Sequence, residues 1–259
     1  MSRNASAQSK VCRVLDEDRA LAEAVPVERR EQAIAECIAK TVLIPAGLWS
    51  GTQTPVPGEG IGLLVLSGLL IRRVGIDAGF GAELLGEGDL LRPWRGEDEP
   101  PTLPYTTGWR VLEPTRVAVL DEAFAQRLTR YPQLCGRLIG RALARSRNLA
   151  VNMAIVQQAR VDVRLHMLLW HLAARWGRVR SNGVSLPLAL THNVLSDLAA
   201  ARRPTVTSAL SELAKRELVH AVDNGWLLSG KPPGELLKLA PAPPTLATNA
   251  SPENPQSQA

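Results

Sequence analysis

The sequence predicts an α+β fold made of an N-terminal antiparallel β-roll, a long helix and a C-terminal winged helix-turn-helix. Three observations predict it: short apolar runs broken by Gly and Pro from Thr41 to Leu120, a nearly unbroken helical pattern from Asp121 to Trp176, and a helix, tight turn, helix and hairpin in direct succession after residue 189. The boundaries read as an N-terminal extension at 1–27, the roll at 28–130, the long helix at 131–160, the winged helix-turn-helix at 161–230 and a disordered tail at 240–259.

With 259 residues the chain has room for two domains and a sizeable core. Apolar residues make up 45% and charged residues 21%, with no apolar run near the length of a membrane span, so a soluble protein is expected. The first 25 residues carry Asp16, Glu17, Asp18 and Arg19 and lack the basic start and apolar stretch of a signal peptide. Cys12, Cys37 and Cys135 are far apart and form no CxxC pair, which suggests neither a zinc site nor a disulfide framework. A reducing cytoplasm fits best, and no cofactor is expected.

Along the chain, residues 28–40 hold good helix formers with Ile34 and Ile38 four apart, so a short amphipathic helix is expected there. From Thr41 to Leu120 turn signals recur about every ten residues without room for helical crossovers, the mark of an antiparallel roll. Beyond Asp121 only Pro132 breaks the helical spacing as far as Trp176. Leu134, Leu138, Ala142, Leu149, Met153 and Val156 fall near a heptad-like seam that Arg145 interrupts. By pattern alone that seam is as much a core face as a dimer face. The last twenty residues are rich in Pro, Ala, Ser and Asn and have no aromatic residue, which gives the tail nothing to order around.

Charge is unevenly placed. The net charge is +5, yet residues 127–180 carry eleven arginines against the single acid Asp162, so the rest of the chain must be net acidic. Such asymmetry is what a polyanion-binding half shows, although a solvated helical face is the default for charge runs. Arginine outnumbers lysine 25 to 5, which base composition alone can produce. Aromatics are only 4%, so a stacking platform for single strands is poorly supported and double-stranded DNA is the better candidate.

Residues 190–219 read LTHNVLSDLAAARRPTVTSALSELAKRELV. Thr191 suits an N-cap, Val194, Leu195 and Leu198 turn inward, and Ala199 to Ala201 form a tight turn. Pro204 suits the first turn of a second helix, because its missing N–H would have no partner there. With Val206, Leu210 and Leu213 inward, the outward face presents Arg203, Thr205, Thr207, Ser208 and Ser211. Together with Thr191 and Arg202 these are the candidate DNA-contacting residues, short or forked donors able to reach base edges or phosphates. Two short apolar runs around Asp223-Asn224-Gly225 then predict a β-hairpin wing with Asn-Gly at its turn.

These segments resemble the CRP/FNR family of bacterial transcription regulators over nearly the whole chain. The motif just quoted runs without a gap against that family's helix-turn-helix, and VDVRLHMLLWHLA resembles its linking helix. IGLLVLSGLLIRRVGI and LLGEGDLL resemble its cyclic-nucleotide-binding-like, jelly-roll-type domain. The resemblance implies a homodimer joined along the helix before residue 160 and a two-fold symmetric operator. It also implies RNA polymerase and an unidentified small-molecule effector as further candidate partners. Arg203 takes the family's main base-reading position and Thr205 a phosphate-contacting one. Pro204 stands where many members have an acidic base reader, so the family's usual operator is not implied. The sensor departs further: Gly88-Asp89-Leu90-Leu91 is followed by Arg92-Pro93-Trp94 and the acidic Glu97, Asp98 and Glu99 instead of a phosphate and ribose cassette. Leu149 and Ala150 stand where hydroxyls would meet a purine, so cyclic AMP is not the expected ligand.

Other motifs carry less. The glycines at 58, 60, 62, 86 and 88 lie between strands and open no helix, so they read as turns rather than phosphate loops. A cupin-type metalloenzyme needs histidines on the roll, and residues 41–120 have none. His166 and His171 are five apart, off the i, i+4 spacing of a helical metal pair. No catalytic set emerges, and the chain is read as a non-enzyme. The alternative to a sequence-specific regulator is an effector-independent nucleoid or architectural DNA-binding protein.

Overall fold

The computed structural model describes residues 10–51, 60–77, 79–93 and 104–234. The tail at 240–259, Gly58, and the Trp94 to Glu99 stretch lie outside the described residues. The first element is a strand, β1 (Lys10–Arg13), followed by the helical turns α1 (Val14–Glu17) and α2 (Arg19–Ala22) and the helix α3 (Val27–Glu36). β1 pairs antiparallel with β2 (Ile38–Ile44), and Val14, Leu15, Leu21 and Val25 are buried. Residues 10–25, read from sequence as an extension, are therefore packed into the roll. The helix expected to reach residue 40 stops at Glu36, since Ile38, Ala39 and Lys40 alternate between exposed and buried as members of β2. Buried Cys37 makes the break, and burial pushes its thiol up to about 11.

The roll continues with β3 (Gly47–Trp49), β4 (Gly62–Ile76), β5 (Gly79–Gly86), β6 (Leu90–Leu91) and β7 (Thr106–Leu120). All pairings are antiparallel, in the order β1-β2-β7-β4-β5, with β3 on β7 and β6 on β4. The expected antiparallel roll is present.

One irregularity in β4 shapes the molecule. Its register against β7 shifts between Val65 and Leu70, around Gly68 at φ +98, where a Cβ would collide with Pro114 O and Thr115. Before the shift the odd residues Leu63 and Val65 face the interior of the roll; after it the even residue Leu70 does. Side chains alternate along a strand, so a bulge inverts which of them face inward. Leu69 and Ile71, with Ala82 and Leu84 of β5, are thereby turned outward into a core shared with the C-terminal domain.

Asp121 caps α4 (Glu122–Leu128), its Oδ1 accepting from Phe124 N at 2.9 Å, and Pro132 opens α5 (Pro132–Val156). α6 (Val161–Trp176) follows a short break, after which come β8 (Arg178–Arg180), β9 (Gly183–Leu186), α7 (His192–Leu198), α8 (Arg203–Lys215), β10 (Val219–Val222) and β11 (Gly225–Leu228). The last four strands form a sheet in the order β10-β11-β9-β8. The β8–β9 hairpin carries no apolar alternation strong enough to announce it in the sequence.

α5 divides the predicted seam between two faces. Leu134 and Leu138 are 1% and 4% exposed, packed with Phe124, Leu128 and Tyr131. Leu149 and Val156 are half-buried towards the β4–β5 hairpin, whereas Ala142 is exposed and Met153 is 68% exposed. The open apolar face instead runs through Ile139 (60%), Leu143 (56%) and Met153, with the exposed small residues Gly136, Gly140 and Ala150 beside them. The strongest leucines, Leu134 and Leu138, are taken up by the roll's own core, so the apolar side chains that α5 leaves in water lie largely on a neighbouring stripe.

Candidate nucleic-acid interface

Thr191 caps α7, its Oγ1 accepting from Val194 N, and the buried Val194, Leu195 and Leu198 seat the helix on α6 and α8. The tight turn after α7 needs one residue in the left-handed region, and Ala200 supplies it at φ +47. Arg164 of α6 braces this turn, its Nη1 donating to Ala199 O at 2.9 Å and Ala200 O at 3.2 Å. Nothing in the sequence pattern marked Arg164 for that task.

α8 buries Val206, Ala209, Leu210 and Leu213, as its periodicity predicts, and leaves Arg202, Arg203, Thr205, Thr207, Ser208 and Ser211 exposed. Three of its hydroxyls donate one turn back along the helix: Thr207 to Arg203 O at 3.1 Å, Ser208 to Pro204 O at 3.2 Å and Ser211 to Thr207 O at 3.1 Å. Their lone pairs remain open, and each proton can swing to an incoming acceptor. The guanidinium groups of Arg202 and Arg203 have no hydrogen-bond or ion-pair partner among the described residues. His192, which the sequence pattern did not single out, lies on the same surface with Nδ1 2.9 Å from Thr207 Oγ1. Thr191 is exposed beside it, though its Oγ1 already serves the cap.

The wing is present with a different turn. Val222 pairs with Gly225, so the two loop residues are Asp223 and Asn224, and neither has positive φ. Gly225 sits at φ +155 as the first residue of β11, where a Cβ would collide with Leu186 O of β9. Close approach of two strands, rather than turn geometry, requires that glycine.

The arginine-rich segment proves to be mostly internal bracing. Arg141 pairs with Asp18 at 2.5 Å, Arg175 with Asp89 at 2.9 Å, Arg130 with Glu36 at 3.4 Å and Arg160 with Asp162 at 2.6 Å. Arg127 donates to Ile38 O at 2.7 Å. Arg145 grips both oxygens of buried Glu83, which Arg72 Nε also approaches to 2.6 Å. The acids that balance these arginines belong mainly to the roll, which explains the opposite charge of the two halves. Arg178 and Arg180 on β8 are exposed.

The two domains meet where α7 packs on the hairpin. Asp197 of α7 lies 3.7 Å from Arg73 of β4; burial pushes its carboxyl above the usual range, and Arg73 and Arg110 pull it back only in part. Among the described residues no cluster of three or more His, Cys, Asp or Glu is placed to hold a metal, and no helix is long and apolar enough to cross a membrane.

A helix, turn, helix and hairpin with an open basic face at the start of the second helix is a winged helix-turn-helix. Residues 163–229 match the Crp-like helix-turn-helix domain. No curated protein matches the chain. Among solved structures, a CooA mutant from Carboxydothermus hydrogenoformans is similar at 14% identity and a TM-score of 0.59, covering 87% of this chain and 93% of that one. FixK2 from Bradyrhizobium japonicum is similar at 14% identity and a TM-score of 0.55, covering 79% and 98%. The c-di-GMP responsive global regulator CLP of Xanthomonas campestris is similar at 17% identity and a TM-score of 0.50, covering 80% and 100%. The C-terminal segment is thus a Crp-like helix-turn-helix domain, and the chain as a whole has the fold of CRP/FNR-type transcription regulators, with a cyclic-nucleotide-binding-like roll.

Proposed function

We infer that the protein is a sequence-specific DNA-binding transcription regulator that acts as a homodimer on a two-fold symmetric operator. The observation that carries this reading is the unpaired pair Arg202 and Arg203 at the exposed start of α8, in a molecule whose other arginines are mostly engaged. Arg203 is the candidate base reader, its fork suited to the O6 and N7 acceptors of guanine. Thr205, Thr207, Ser208 and Ser211 offer hydroxyls to phosphates and base edges, and Arg202 and Thr191 flank them. The dimer reading rests on the outward face of α5. Ile139, Leu143 and Met153 leave a long apolar stripe in water, with Gly136, Gly140 and Ala150 allowing close approach of a second helix. The cytoplasm is the compartment this function needs.

Selection of fragments from sheared genomic DNA by the purified protein, at near-physiological salt, tests the reading. A two-fold symmetric motif with half-sites about one helical turn apart is the expected recovery. Retention of all fragments alike, with a steep dependence on salt, would replace this reading with the architectural one.

A further inference from the structure

Most arginines of α5 and α6 that are engaged meet carboxylates, whereas Arg164 meets only backbone carbonyls among the described residues. Its Nε donates to Gln158 O at 3.0 Å, with Nη2 on the same oxygen, and its Nη1 donates to Ala199 O at 2.9 Å and Ala200 O at 3.2 Å. Gln158 lies just past the end of α5, and Ala199 and Ala200 just past the end of α7. The carbonyl end of a helix carries partial negative charge and leaves its last oxygens without intrahelical donors. A single half-buried cation therefore closes two helix ends from separate parts of the chain.

The place of this contact gives it consequence. Residues 157–160 join α5 to α6, and no other hydrogen bond among the described residues ties that joint to the α7–α8 turn. A weaker tie secures the far end of α8, where Asp162, held by Arg160 at 2.6 Å, lies 3.5 Å from Arg216 Nη1. Both ends of α8 are thus referred to the first turn of α6, and Arg164 refers that turn to α5.

The apolar core that Leu69 and Ile71 share with α6, α7 and α8 also holds the domains together, but apolar contact is non-directional and lets packed elements slide. A planar guanidinium fork fixes an angle as well as a distance. In a dimer joined along α5, the angle at the α5–α6 joint decides where the two copies of α8 stand. Half-sites one turn apart are separated by about 34–36 Å, and each base pair added between them moves one by about 3.4 Å and turns it by about 34°.

We propose that Arg164 is a positioning residue that sets the half-site spacing the protein accepts, by locking the α5–α6 joint to the α7–α8 turn. The proposal rests on the homodimer reading above. Arg164 acts on which spacer is read, while the base preference within each half-site stays with the exposed face of α8.

The test measures binding of the full-length protein to the operator recovered in the DNA selection, to versions with one base pair inserted or removed between the half-sites, and to a version with one base pair exchanged within a half-site. The unaltered protein is expected to lose at least about 10-fold in affinity with either change of spacer, a penalty like that of a mismatched base pair. In Arg164→Met the spacer penalty should fall to about threefold or less, chiefly because affinity for the original spacer drops, while the penalty of the exchanged base pair stays within about twofold of its former value. Arg164→Lys keeps a charge at the helix ends but has no planar fork, so it should keep the melting temperature and show a spacer penalty between the other two. If Arg164→Met fails to fold, Arg164→Lys decides by itself. An unchanged spacer penalty in either folded variant overturns the proposal. So does a loss of base preference together with spacer preference, which would make Arg164 a support of α8 alone. A selection without paired half-sites, or an unaltered protein indifferent to the spacer, overturns the homodimer reading and the proposal together; failure in the variants alone leaves that reading intact.

Discussion

The arginines of α5 and α6 and those that open α8 are the same chemical group doing opposite work. Arg141, Arg145 and Arg175 lie against Asp18, Glu83 and Asp89, acids supplied by the roll, and they fasten the long helices to it. Arg202 and Arg203 project from a helix start into solvent, with no acid beside them. Local charge density is far higher in the first region, but most of it is paired internally, Arg137 and Arg147 aside, whereas neither guanidinium that opens α8 has an acid to answer it among the described residues. Net charge along a sequence reports on partners only after internal pairs have been subtracted.

The largest expected effect tests whether α5 also serves a function outside its own core. Leu143→Glu combined with Met153→Glu should give monomers in light scattering and lower operator affinity by about a hundredfold or more, because linked half-sites bind far better than separate ones. A doubly substituted protein that remains dimeric would remove the outward stripe from the dimer reading. Leu138→Glu, on the inward face, should instead unfold the roll.

The next test is aimed at the inward arginines. Glu83→Ala leaves Arg72 and Arg145 facing each other without their carboxylate, and should cost about 3 kcal/mol or more of stability, measured by denaturant unfolding. Arg203→Ala should do the reverse: no loss of stability, but a loss of about 1 to 3 kcal/mol in binding to the selected site, with relaxed preference at one base per half-site. An equal loss on random DNA would reduce Arg203 to a phosphate contact, and the contrast between the two regions would become one of position only.

The smallest effect lies at the junction of the domains. Because the folded pKa of Asp197 is raised, chiefly by burial, its ionised form opposes folding near neutral pH. Its contribution is fully favourable below the unfolded aspartate pKa and is lost as pH rises through the higher folded value. Asp197→Asn should therefore raise stability at pH 7 by less than about 1 kcal/mol, and the gain should shrink as pH falls towards 4. A gain that grows on acidification would mean that Arg73 outweighs burial at this site.

Much of the proposed DNA-contacting surface was legible in the sequence because its constraints are local. Pro204 in the first turn, the inward spacing of Val206, Leu210 and Leu213, and the basic dipeptide before them all act within one helix. His192 and the brace from Arg164 were not legible, since each works across elements. The wing is legible in the apolar runs around Asp223-Asn224-Gly225, but the need for its glycine is not. Gly225 is required by the strand running beside it, not by the turn before it.

The sequence by itself determined the antiparallel roll, the long helical segment after it and the pair α7 and α8, because periodicity and capping are properties of neighbours in the chain. Only the tertiary structure decided which face of α5 is open and which arginines are free. It also decided that the register shifts between Val65 and Leu70, around Gly68, turn Leu69 and Ile71 towards the DNA-binding domain. A net offset of one residue exchanges the two faces of a strand, and nothing in the composition of that strand records it.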